Sequence, residues 1–151
     1  MAALKRLIGA IEALDGRSRD VLAYHLAIER EMDVALAALL PRADCLWKFE
    51  HGRRLGFGQK VSVLQATSTS GWIDRVAKAL VCFNELRNAI AHGRAEAAID
   101  KAFAKAFAAT WSISGDGPPP DQATVGGIAA VLCGALAVDT DERSEIPISH
   151  H

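Results

Sequence analysis

Leu86-Arg87-Asn88-Ala89-Ile90-Ala91-His92-Gly93 puts an arginine, an adjacent asparagine and a histidine within little more than one helical turn, directly before a glycine. These residue types handle phosphates and protons. A guanidinium grips a phosphate through two parallel hydrogen bonds, an amide orients a phosphate or a ribose, and an imidazole transfers protons near neutral pH. On a wheel of about 100° per residue, Arg87 falls inside the apolar stripe of its segment, between Val76 and Leu80. Asn84, Asn88 and His92 follow one another at four-residue steps down one flank. Gly93 supplies the left-handed residue that ends helices, which places His92 at the cap.

An earlier segment carries a possible partner for the arginine. Glu29 lies between Leu36 and Leu22 at the edge of an apolar stripe built from Val21, Ile28, Met32, Leu36, Leu39 and Leu40, and His25 sits one turn before it. A carboxylate in that position needs a counter-charge, because an unpaired buried charge costs several kcal/mol. Arg87 is the expected one. Such a pair has two readings: a purely structural ion pair with His92 merely capping, or a carboxylate that orients an arginine acting on substrate.

A second chemical candidate is the basic segment from Lys48 to Lys60. Lys48, Arg53, Arg54 and Lys60 stand against the single Glu50, a formal charge of +3, with Trp47, Phe49 and Phe57 interleaved. Cations alternating with aromatics suit phosphate contact and base stacking, which nominates Arg53, Arg54 and Lys60 as nucleic-acid contacts. The plainer reading is a solvated loop anchored to the core by its aromatics. Gly56-Phe57-Gly58 lacks a third glycine and Gly58-Gln59-Lys60 lacks the spacing of a phosphate loop.

The elements that must hold these groups are helical. The chain has 151 residues, half of them hydrophobic, and its 28 alanines favour closely packed helices. Apolar spacing predicts helices over 3–14, from a cap at Ser18 or Asp20 to Pro41, and over 59–66, 72–92, 95–111 and 124–138. In the fifth of these, Phe103, Phe107 and Trp111 stand four apart and read as core packing. The whole reads as an all-α, up-and-down bundle of five to six helices, a single domain over 1–138 with a frayed acidic tail over 139–151. Charges nearly cancel, 17 Lys and Arg against 18 Asp and Glu, so polyanion binding must come from a local patch. Cys45, Cys82 and Cys133 are unclustered and read as reduced core thiols. The absence of a signal-like leader or a bilayer-length apolar run suggests a cytoplasmic protein without membrane contact. No metal constellation arises among His25, His51 and His92, and there is no Gly-x-Ser-x-Gly elbow, so no cofactor is expected.

The motif from Leu86 to His92, at the end of a long helix, resembles the signature of HEPN domains, an all-helical superfamily associated with nucleic acids. That signature is an arginine, four to six residues, then a histidine, often with a polar residue directly after the arginine. Arg87, Asn88 and His92 match all three parts. Ala27 to Asp33 and Leu55 to Val61 are similar to the branch that includes mannitol operon repressor-like proteins, so the resemblance spans roughly residues 20 to 93. It implies a homodimer with the two motifs facing each other, and a metal-independent endoribonuclease acting on RNA through Arg87, Asn88 and His92, with Glu29 behind them. Many such proteins are toxins paired with a nucleotidyltransferase antitoxin. The alternative it implies is a non-catalytic regulatory module that binds nucleic acid or a protein partner.

Overall fold

A computed structural model describes residues 15–47, 55–68, 71–115 and 124–144 of the protein. The segment expected as a first helix, 3–14, lies outside the described residues. Those described form five longer helices and one of a single turn: α1 (Gly16–Leu39), α2 (Asp44–Trp47), α3 (Phe57–Thr67), α4 (Trp72–Ala91), α5 (Glu96–Ser114) and α6 (Val125–Ser144). No strand occurs among the described residues. The described residues form the all-α bundle expected from apolar spacing, and no described helix is long and apolar enough to cross a membrane.

Local chemistry sets the ends of the helices. Asp15, not Ser18 or Asp20, caps α1: its carboxylate accepts from the Ser18 backbone N–H at 2.8 Å and from the Ser18 hydroxyl at 2.9 Å. These bonds, led by the backbone one, hold the Asp15 carboxyl below its usual range. Pro41 forces Leu40 into extended backbone and stops the helix. In α3, Gln59 Oε1 accepts from the Gly56 N–H at 2.8 Å, the reciprocal half of a capping box, so the helix starts at Phe57, before the expected Gln59. Thr124 Oγ1 accepts from the Gly127 N–H at 3.0 Å to open α6, which continues to Ser144, beyond the expected end at Val138.

α4 is the central element. It packs along α5 across the short 92–95 link and also touches α1, α3 and α6. α1 and α6 form the other close pair. Their approach is tight at Gly126, where an added Cβ would lie 3.2 Å from Tyr24 Oη. Ile28, Met32, Leu36, Leu64, Leu80, Phe83, Leu132 and Leu136 are fully buried where these faces meet. Each such side chain contributes roughly 1.5–3 kcal/mol of transfer free energy, more than any difference in helix propensity.

The aromatics of α5 are flank rather than centre. Ala106, Ala109 and Thr110 are its buried residues, whereas Phe103, Phe107 and Trp111 are half-buried. Arg17 of α1 stacks over Phe103 at 5.6 Å and pairs with Asp100 at 2.6 Å. Of the thiols, Cys82 is buried and Cys133 half-buried, and burial pushes both up and away from the reactive thiolate. Cys45 is exposed, so it is not the core thiol expected.

Candidate functional site

The chemical residues divide into two groups. The first is a polar seam where α1, α3 and α4 meet. His25 is 8% exposed, and its Nε2 donates to Asn84 Oδ1 at 3.0 Å. Its ring stacks on Phe57, centroids 4.6 Å apart, and lies parallel to Phe83 at 6.4 Å. Burial holds the imidazole below its usual range. The bond to Asn84 and the charge of Glu29 push the other way, while Arg87 and Lys60 add to the lowering.

One turn further along α1, Lys60 Nζ of α3 donates to Glu29 Oε1 at 2.9 Å and lies 2.7 Å from Asp33 Oδ1. Lys60 is only 3% exposed. Burial alone would lower its ammonium, but the bonds to Asp33 and Glu29 outweigh it and hold the group above its usual range. This corrects two expectations. Lys60 is not a phosphate contact, because its charge is enclosed and matched by carboxylates. Glu29 does not pair with Arg87, because α3 brings a lysine to it first. The signal was present in the sequence: Phe57, Lys60, Val61 and Leu64 form one i, i+3, i+4, i+7 stripe, which puts Lys60 on the buried face of α3. Arg53 and Arg54 lie outside the described residues.

The second group surrounds the C-terminus of α4. His92 is the cap residue, and Gly93 adopts φ +60, the left-handed conformation expected of it. The Gly93 N–H donates to Ile90 O and the Arg94 N–H to Ala89 O, both at 3.0 Å, the paired bonds of a Schellman motif. The His92 N–H takes Asn88 O at 2.9 Å. Three of the last helical carbonyls are thereby satisfied, and the chain after Gly93 is turned back over the helix end. Glu85, Asn88, Ala89, His92 and Arg94 line an open depression of about 240 Å³ there.

Arg87 is not among those lining residues. Its side chain is half-buried, and Nη1 donates to Asn88 Oδ1 at 3.0 Å. The polar strip read from the sequence is therefore split: Asn84 turns to His25 in the seam, while Asn88 and His92 face the depression. Glu85, on its wall, is held by Lys105 of α5. Sequence reasoning missed Arg94, and the signal for it was Gly93, because a Schellman glycine folds the next residue back toward the helix. No group of His, Cys, Asp or Glu able to hold a metal occurs among the described residues. The arrangement at the end of α4 offers an accessible imidazole, an amide and a guanidinium around one concave surface, the groups needed to orient a phosphate and move a proton. No protein-family model, curated protein or solved structure matches the chain.

Proposed function

We propose that the protein is a HEPN-like, metal-independent endoribonuclease whose site lies at the C-terminal end of α4 and is completed by a second copy of the chain. The observation that carries this reading is that Asn88 and His92 line one open depression while Arg87 holds the Asn88 amide. In the reaction, the ribose 2′-oxygen forms a bond to the adjacent phosphorus as its proton passes to an imidazole. The bond from phosphorus to the 5′-oxygen breaks, and that oxygen takes a proton from a second imidazole. The products are a 2′,3′-cyclic phosphate and a 5′-hydroxyl. One chain offers one His92, so a two-fold dimer supplies both proton-transfer groups. A nucleotidyltransferase antitoxin is the protein partner this reading favours.

The test is incubation of purified protein with RNA in EDTA, with light scattering to give the oligomeric state. Cleavage with cyclic-phosphate ends is expected from a dimer. His92→Ala should lower the rate at least about 100-fold while the melting temperature stays put. Equal cleavage by the folded variant sinks the reading.

A second reading, a non-catalytic regulatory module of the mannitol repressor-like type, draws support from the half-burial of Arg87 and its bond to a neighbouring side chain. On that reading the protein shows no turnover, and Arg87→Ala lowers the melting temperature or dissociates the dimer. An Arg87→Ala protein of unchanged stability and oligomeric state removes its support.

A further inference from the structure

Resting on the ribonuclease reading, we propose that Arg94, rather than Arg87, is the guanidinium that meets a substrate phosphate, and that Arg87 is a positioning residue acting through Asn88. The two arginines differ in what their surroundings leave free. Arg94 is exposed, lines the depression with Asn88 and His92, and makes no ion pair among the described residues. Its five donors remain available for bidentate contact with a phosphate. Its main chain is nonetheless fixed, because the Arg94 N–H is tied to Ala89 O by the Schellman turn. The side chain is thus anchored at its root beside the histidine.

Arg87 has the opposite properties. It is half-buried, and one of its nitrogens is already committed to Asn88 Oδ1. A guanidinium has only donors, so it selects the oxygen end of the Asn88 amide. Nδ2 is then the free end of a side chain that lines the depression, and an N–H donor is what a phosphate oxygen accepts from. Arg87 thereby sets the sense of the amide without touching the ligand.

The local field also requires a cation at the position of Arg94. A helix C-terminus carries partial negative charge and repels phosphate. Here the carbonyls of Asn88, Ala89 and Ile90 are covered by the N–H groups of His92, Arg94 and Gly93, and Lys105 neutralises Glu85 on the wall. With those repulsions offset, the Arg94 guanidinium is the exposed cation on the lining of the depression, while the half-buried Arg87 stands behind Asn88.

The test uses the full chain and a 2′-O-methyl RNA oligonucleotide, which binds without being cut, titrated across a range of salt. Arg94→Gln is expected to weaken binding roughly tenfold, the worth of one charge-assisted hydrogen bond. It should also make the slope of log affinity against log salt shallower by about 0.7, the share that one neutralised phosphate contributes on a single strand. Arg94→Lys keeps the charge and should restore the slope. Arg87→Gln, with its fold checked by thermal melting, is expected to keep the wild-type slope and to slow cleavage of unmodified RNA instead. Wild-type affinity and slope in Arg94→Gln overturn the assignment, as does a shallower slope in Arg87→Gln alone. Wild type that binds the oligonucleotide but leaves unmodified RNA intact removes the ribonuclease reading, and the slope then still decides for or against Arg94. Wild type that binds no oligonucleotide overturns the assignment.

Discussion

The same side-chain inventory, a histidine with an asparagine, a basic residue and a carboxylate, occurs twice in this molecule with opposite outcomes. In the seam between α1, α3 and α4, His25 is stacked on Phe57 and bonded to Asn84, and Lys60 sits between Glu29 and Asp33. Every one of those groups has a partner. At the end of α4, His92 and Arg94 are exposed, and only Glu85 and Asn88 have side-chain partners, Lys105 and Arg87. The difference shows that residue type does not assign a role. A polar group enclosed by the bundle must be satisfied by the fold itself, so its chemistry is spent on structure. A polar group at an open helix end keeps its capacity for a ligand.

The sharpest way to break this comparison is at Lys60. Lys60→Met leaves Glu29 and Asp33 facing each other without a counter-charge. The loss should be about 2–3 kcal/mol, below that of a fully enclosed pair because both carboxylates keep some water. At roughly 2–4 °C per kcal/mol for a chain of this size, the melting temperature should fall by about 5–10 °C. A calorimetric scan within a degree or two of wild type would show that the seam is not structural.

Gly93→Ala probes the other region. Open space surrounds the position, so the penalty is conformational only: about 1 kcal/mol for holding alanine at a positive φ. Melting should drop by a few degrees, and RNA binding should weaken as the Schellman turn loosens and Arg94 loses its anchor. Gly93→Asn should retain more of both. Binding that is unaffected by the alanine variant would detach Arg94 from the turn.

The smallest expected effect is a pH dependence from the seam. His25 is held below its ordinary value of about 6.5, first by burial, against the raising influence of Asn84. The unfolded chain therefore binds a proton at a higher pH than the folded one. Stability should fall as pH drops through the window just below 6.5, down to the lowered folded value, and rise again as pH returns. His25→Gln should flatten that part of the melting-temperature profile. An unchanged profile would mean that His25 titrates alike in both states.

Much of this was legible in the sequence, and the exceptions are instructive. Apolar periodicity located the helices because each must bury one stripe, and that demand acts within the segment itself. Gly93 announced the end of α4 because few other residues tolerate φ +60. Asp15 was missed as the cap of α1 because several capping residues cluster there and only the fold chooses one. The start of α3 at Phe57 was missed because a backbone glycine with Gln59 can cap as well as a side chain.

The sequence alone determined the helical character of the described residues, a long helix that closes with Arg87, Asn88, His92 and Gly93, and the place of His25 one turn before Glu29. Tertiary structure decided which charges meet. Glu29 needed a cation, but whether that cation was Arg87 or Lys60 depended on how α3 docks against α1. A wheel gives the direction of a side chain around its own axis and nothing about what faces it from the next helix. Within the Leu86 to Gly93 stretch the wheel already separates Arg87 from the flank of Asn88 and His92, but it does not show that Asn84 leaves that flank for His25. Arg87 is half-buried beside Asn88, while His92 is joined at the open end by Arg94, a residue beyond the motif.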